Sequence, residues 1–444
     1  MCNGSIMDKL ISFSMPLMLS GILQLMFNAV DIIVVGQFSG SEALAAVGST
    51  TALIAVFTNL FIGISLGANV LAARFYASGK HKEMSETVHT AITLALISGV
   101  IMAFAGLIFS RLALEIMGTP DNVIDHSTLY MRIYFLGMPF FMLYNYGAAV
   151  LRAVGDTKRP LFYLIISGLA NAGINMLLVI VFHMGVAGVA IGTVISQGIS
   201  CVLVLRCLHC SEGSYQLRFS KLTIKGYYLR QIFQVGIPAG IQSTVINISN
   251  ALLQSSVNSF GSIAMAGYTA ANNIFGFLYV TVNAVTQACM SFTSQNYGVG
   301  KWKRMDRVLI DCLILSFVAM MILGNSAYFF GPKLLTIYTS NSKVIQCGME
   351  ILLYTTVTYF LCGFMDLFPG ALRGMGRSGV PMILSIIGTV GTRIVWIFWI
   401  FPNHRSLDIL FISYPASWII TIVLQVICYY FVRKQLYAKM RAEA

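Results

Sequence analysis

The chain has 444 residues, 57% of them hydrophobic and 10% charged, with a mean hydropathy of +0.80. Soluble domains carry about 25% charged residues, so this chain cannot cover a water-facing surface, and a soluble globular fold is excluded. The net charge of +12 would suit a nucleic-acid partner, but its placement along the chain, given below, excludes that class too.

Twelve apolar segments follow one another, near 11–36, 45–72, 87–110, 126–150, 160–182, 187–208, 232–258, 265–293, 308–331, 346–371, 380–401 and 408–432. Each can supply the roughly 20 apolar residues that span a bilayer core. They are too long and too continuously apolar for barrel strands, which run about 10 residues with alternating polarity. The expected fold is therefore an all-α polytopic membrane protein. The first segment follows Asp8 and Lys9 and has no small-residue cleavage site, so it reads as an anchor rather than a removed signal peptide.

The first segment also holds Asp31, inside the otherwise apolar "NAVDIIVVG". A carboxylate at the centre of a membrane helix costs roughly 2.5–3.5 kcal/mol on insertion scales. Gln24, Asn28 and Asp31 stand at i, i+4 and i+7, one polar stripe on one helical face. Low dielectric favours the protonated acid and a nearby cation the ionised one. Proton and cation would then compete for Asp31, which couples their fluxes; the alternative is a carboxyl locked in hydrogen bonds that only fixes helix packing. On the fifth segment Asn171 and Asn175 are again i, i+4, and if the two stripes face each other, oxygens and amides converge.

Other polar residues within the segments are candidates for lining a substrate cavity. In the first half these are Gln24, Asn28, Tyr144, Asn145 and Gln197; in the second half, Asn250, Gln254, Asn272, Asn273 and Tyr359. Arg132, near an outer helix end, is expected to snorkel, and Arg307 with Asp311 to form an i, i+4 interfacial pair. Asp366 on the tenth segment is the second intramembrane acid, and Arg393 on the eleventh is its expected partner. That pair reads as structural glue, with a part in coupling as the alternative.

Nine cysteines, an odd number scattered through apolar segments, imply no disulfide framework. Cys207-x-x-Cys210 is a lone pair without the second pair of ligands that a zinc site needs. The six histidines lie near helix ends or in loops, so a membrane enzyme with a histidine–acid constellation within the spans is not expected. "GMGRSG" (374–379) fits G-x-G-x-x-G, but a dinucleotide site needs a preceding strand, and here an apolar helix precedes it. No phosphate-binding G-x-x-x-x-G-K-[ST] occurs, so ATP is not the expected energy source.

The chain repeats itself at an offset of 221 residues. "YASGKHKEM" (76–84) aligns with "YGVGKWKRM" (297–305), "LRAVGDTKRP" (151–160) with "LRGMGRSGVP" (372–381), and "GSEALAA" (40–46) with "GSIAMAG" (261–267). Pro16 and Pro238 match with one residue of slippage. Six spans per copy is an even number, so both copies enter the membrane in the same direction, as parallel repeats about an axis along the membrane normal. The expected division is a lobe over 1–208, a polar cytoplasmic linker over 209–228 and a second lobe over 229–444. With the N-terminus inside, 22 of the 28 lysines and arginines fall on the inner side, four (Arg111, Lys333, Lys343, Arg405) outside and two (Arg132, Arg393) within helices. This positive-inside bias puts both termini in the cytoplasm and makes the basic charge topological.

The duplicated "LRAVGDTKRP" and "LRGMGRSGVP" loops, the twelve spans in two copies and "NAVDIIVVGQFSG" on the first helix resemble the MATE family (multidrug and toxic compound extrusion), over roughly residues 8 to 435. The resemblance implies export of amphipathic, cationic small molecules in exchange for H+ or Na+ by alternating access, without a cofactor. It further implies a cation site built from an acid on the first helix, N-x-x-x-D on the fifth and a threonine on the sixth. Asp31, Asn171 and Thr193 match that pattern; the second acid is replaced by Asn175, so a sodium ion at Asp31, Asn171 and Asn175 would meet one negative charge fewer, which tilts the expectation toward protons. The expected protein is a monomer in the plasma (cell inner) membrane, with the lipid bilayer and a small-molecule substrate as partners and no nucleic acid. The other reading, a flippase for a lipid-linked precursor on a related scaffold, calls for a cationic cavity that Arg132 and Arg393 alone hardly supply.

Overall fold

The computed structural model describes residues 1–443, with the side chains of Ser41, Ala52 and 439–443 outside the described set. Lys439 and Arg441, counted above among the inner charges, fall in that set, and Ala444 lies outside the described residues. The described residues form helices, turns and bends, with no strand. The spans are α1 (Ile6–Phe38), α2 (Gly40–Ala77), α3 (His81–Ile116), α4 (Asp121–Leu136 continued by Met138–Ala153), α5 (Lys158–Val181) and α6 (Gly185–Cys210). The second set is α7 (Gly226–Asn258), α8 (Ser262–Gly298), α9 (Trp302–Phe329), α10 (Ser342–Thr356 continued by Tyr359–Gly374), α11 (Gly379–Asn403) and α12 (Leu407–Glu443).

By length and composition nine of these helices can cross a membrane, and the two bent pairs bring the number to eleven. The twelfth, α7, is 33 residues long; Gln231, Gln234, Gln242, Asn247, Asn250 and Gln254 lower its hydropathy below that of the others. The chain is thus an all-helical polytopic membrane protein of twelve spans in two repeats.

The duplication is written into the backbone. Left-handed glycines recur 221 residues apart: Gly40 and Gly261 (φ 86° and 96°), Gly79 and Gly300 (67° and 69°), Gly155 and Gly376 (100° and 82°). At the last two pairs the glycine ends a helix and the next N–H reaches back five residues. Lys80 N bonds Phe75 O at 3.1 Å and Lys301 N bonds Asn296 O at 2.9 Å; Asp156 N bonds Leu151 O and Arg377 N bonds Leu372 O, both at 2.9 Å. This closure requires a positive φ that a Cβ would strain, so the glycines of the quoted motifs are there for the turn. Asp156 orders its loop as well, accepting from Arg159 N at 3.1 Å and pairing with Arg159 Nε at 3.3 Å.

The sequence reading treats 126–150 and 346–371 as single segments; each is bent, by 47° in α4 and 44° in α10. In α4 the break sits at Gly137, with Pro139 opening the second half and supplying no N–H to the ladder. In α10 no proline stands at the break. There the Thr358 hydroxyl donates to Tyr354 O at 2.7 Å, and such back-bonding bends helices. π-helical turns interrupt the C-terminal part of α5 (Leu177–Val181) and α11 (Ile386–Gly391 and Trp396–Ile400).

The chain divides into two compact units, one of Met15–Gly240 and one of Met1–Ser14 with Ile241–Ala444. The core of the first holds Val35, Met84, Met138, Met142, Tyr146 and Leu208; that of the second holds Leu253, Tyr268, Ile351, Leu410 and Phe411. In the first unit α2 and the start of α7 meet backbone to backbone at Gly63, Gly67, Gly236 and Gly240.

In the second unit the expected Arg307–Asp311 pair forms, at 3.0 Å. Beside it, Asp306 in the first turns of α9 accepts from Tyr429 Oη at 3.0 Å, Arg433 Nε at 2.9 Å and Tyr437 Oη at 2.9 Å, all on α12. Hydrogen bonds to a charged acceptor contribute about 1.5–3 kcal/mol each before solvent screening. Asp306→Ala is therefore expected to raise amide hydrogen exchange over 429–437 about tenfold while leaving 410–420 unchanged. Equal exchange in variant and wild type would show that α12 holds its end without this acid.

Candidate functional site

The acid on α1 meets the amides of α5 inside the first unit. Asn175 Nδ2 donates to Asp31 Oδ1 at 2.5 Å and lies 3.3 Å from Asn171 Oδ1. Asn171 Nδ2 in turn donates to Ser196 Oγ on α6 at 3.4 Å, and Ser196 Oγ donates to Thr193 O at 2.8 Å. The i, i+4 spacing stacks the two asparagines on one face of α5, so a single helix face carries the relay from α1 to α6. Asn175 is wholly buried and Asn171 nearly so, while Asp31 is half-buried.

The site closes because α6 has Gly192 opposite Asn175: a Cβ there would collide with Asn175 Oδ1. That carbonyl oxygen is buried and has no hydrogen-bond partner among the described residues. An orphaned buried acceptor is costly, and here it stands beside a carboxylate. On α4, Tyr130 and Tyr134 lie within electrostatic reach of Asp31. Their rings stack with centroids 6.2 Å apart, and Gln197 lies beside Tyr134. The donors are all oxygens, one of them formally charged, a set suited to a hard monovalent cation or to a proton held on Asp31. Among the described residues no group of three or more His, Cys, Asp or Glu could hold a metal ion.

The structure thus joins Asp31, Asn171 and Asn175, and places Gln197 on the tyrosine pair. Thr193 enters differently. Its hydroxyl donates within its own helix to Val189 O at 2.9 Å, and its carbonyl is what holds Ser196. Gln24 and Asn28 are exposed along α1. Tyr144 Oη donates to Pro160 O at 3.3 Å and Asn145 Nδ2 to Phe141 O at 2.8 Å, so neither is joined to the Asp31 relay. Ser196, Tyr130, Tyr134 and Gly192 are the members that sequence reasoning missed. The tyrosines carried a signal, an i, i+4 pair within a span; Gly192 carried none, since its role exists only through Asn175.

In the second unit the expected Asp366–Arg393 ion pair does not form. Arg393 Nη1 donates to Asn250 Oδ1 on α7 at 2.7 Å, and its guanidinium lies 4.7 Å from the Tyr414 ring centroid. The cation that acts on Asp366 is Arg373, seven residues on and so on the same face of α10. Arg373 itself donates to Gln242 Oε1 at 2.7 Å. The reason is rotational: α11 turns Arg393 toward α7 and α12, while the carboxylate of Asp366 shares its surroundings with Tyr279. Of the expected lining residues here, Tyr359 packs instead into an aromatic core, with Phe275 at 6.1 Å and Trp418 at 5.7 Å. Gln254 Nε2 donates to Asn258 Oδ1 at 3.2 Å, and Asn272 and Asn273 are exposed.

Comparison with known proteins adds to this geometry. A family model described as MatE matches residues 16–177 and again 238–399. The chain is 29% identical over 435 residues to "Probable multidrug resistance protein YoeA" of Bacillus subtilis, covering 95% of this chain and 93% of that protein. It is 25% identical over 398 residues to "Probable multidrug resistance protein NorM" of Thermotoga maritima, covering 88% and 84%. Among solved structures, an outward-facing multidrug resistance MATE family transporter of the MOP superfamily superposes with a TM-score of 0.89 at 20% identity, covering 99% of this chain and 97% of that one. The two chains share the fold described above.

Proposed function

The chain belongs to the MatE family, a family of multidrug efflux transporters rather than enzymes, and from that premise we propose that it is a secondary active exporter of amphipathic, cationic small molecules. Inward flow of H+ or Na+ drives it by alternating access. The lobes 1–208 and 229–444, joined by 209–228, are its working halves, and it acts as a monomer in the plasma membrane with both termini in the cytoplasm. Relatives named for multidrug resistance support drug-like cargo.

The observation that carries the coupling reading is Asp31 bonded to buried Asn175, whose own Oδ1 is left without a partner among the described residues. A proton on Asp31 neutralises the site. A sodium ion would take the carboxylate together with the orphaned Asn175 oxygen and Asn171 Oδ1. With a single carboxylate the site binds a metal ion less strongly than two would, so the proton is the favoured coupling ion. Competition of this ion with cationic cargo links the two fluxes.

Dye efflux from proteoliposomes under imposed gradients tests the proposal. The expected result is efflux that follows an inward proton gradient, responds less to sodium and ignores ATP. Transport that needs ATP, or that is indifferent to both gradients, would overturn it.

A further inference from the structure

We propose that the second unit carries an anion site centred on Arg393, for a monovalent anionic group: a chloride ion or the carboxylate of an amphipathic cargo molecule. The carboxylate arm rests on the transport reading above; the chloride arm does not.

Arg393 is only 3% exposed, and a buried guanidinium needs a counter-charge and a full set of hydrogen bonds. Among the described residues it has neither. No carboxylate of theirs lies within 4.0 Å of it. Its hydrogen bond runs from Nη1 to Asn250 Oδ1, and its buried Nε has no partner. Tyr414 offers a ring face, which eases a cation without neutralising it. Next to that ring the Tyr268 and Tyr414 hydroxyls bond each other at 2.8 Å, so the pair supplies neutral polar atoms only.

The repeat strengthens the case. The two family-model matches begin at residues 16 and 238. The first and seventh spans are thereby repeat partners, as are the fifth and eleventh, so Asn250 stands on the counterpart of the helix that carries Asp31, and Arg393 on the counterpart of the helix that carries Asn171 and Asn175. Where the first repeat builds an acid and amides with an orphaned acceptor, the second places a cation with an orphaned donor, Nε. The polarity is inverted, and so is the ligand: oxygens without donors call for a cation, N–H groups without acceptors call for an anion.

The test uses the full-length protein in a zwitterionic buffer free of added chloride and carboxylate, titrated by calorimetry with sodium chloride and, separately, sodium benzoate. Saturable binding of at least one is expected. Arg393→Gln is expected to weaken it at least tenfold, Arg393→Lys to retain part of it, and Arg405→Gln, in an exposed loop, to leave it unchanged. Chloride alone would identify a halide site; benzoate competing with chloride would identify the carboxylate of cargo. Wild-type protein that binds neither saturably, or an Arg393→Gln variant that elutes as a monodisperse peak and binds equally well, overturns the proposal. Anion binding intact in a protein without gradient-driven efflux would instead sink the transport reading and leave this site standing.

Discussion

Asp31→Asn is expected to lower gradient-driven dye efflux about 100-fold while the protein stays folded. The substitution is isosteric, and the new amide oxygen can still accept from Asn175 Nδ2, which bonds Asp31 Oδ1 at 2.5 Å in the wild type. Asn171, Ser196 and Thr193 keep their chain of contacts. What disappears is the group that can be neutral or charged. Coupling free energies between sites typically amount to 1–3 kcal/mol, or roughly 5–150-fold, and removing the only titratable member of this relay removes the proton's side of the linkage entirely. Passive, down-gradient movement of dye should survive, because that movement needs no proton to be exchanged at this position. Asn175→Asp is the complementary variant: two carboxylates this close cannot both ionise unassisted, so they must share a proton or hold a cation, and efflux should gain a dependence on sodium. Coupled efflux in Asp31→Asn equal to wild type would take this acid out of the mechanism and leave it as a packing device.

The second large effect is on stability. Gly67→Val is expected to destabilise the first unit by about 3 kcal/mol or more, at the upper end of what overpacking costs. The obstacle is backbone rather than a yielding side chain. A Cβ on Gly67 would collide with Ile232 O, one on Gly63 with Gly240 N and Cα, and one on Gly240 would stand 2.6 Å from Leu60 O. Small residues let two helices approach in this way, and no rotamer change can make room. At roughly 2–4 °C per kcal/mol for a unit of this size, the apparent unfolding temperature should drop by about 6–12 °C or more in a thermal size-exclusion assay. Gly198→Ala is the control: nothing lies within 4 Å of its added Cβ, and alanine is favoured over glycine in a helix by about 1 kcal/mol. Its unfolding temperature should hold or rise. If both variants behave alike, the α2–α7 contact is not as close as described.

Composition and local spacing were enough to settle the solvent and the class. Hydropathy is summed over a local window, so the apolar spans, the positive-inside bias and the all-helical form can be read without any knowledge of packing, whereas the twelfth span, polar α7, needed the duplication to be counted. The duplication was legible because left-handed turns admit little but glycine, which kept Gly79 and Gly300, and Gly155 and Gly376, in register. The stripes on α1 and α5 were legible too, since i, i+4 spacing is a property of one helix.

What joins one helix to another was not. That Asn175 reaches Asp31 across 144 residues, that Thr193 works through its carbonyl, and that Gly192 must lack a side chain depend on how three helices are rotated against one another. Arg393 shows the same limit from the other side. A residue advances about 100° around a helix, and α11 contains two π-helical turns, so its phase cannot be carried forward from the sequence. The partner expected at Asp366 was found at Asn250 because helix rotation, set by packing over the whole unit, decides which buried polar groups meet.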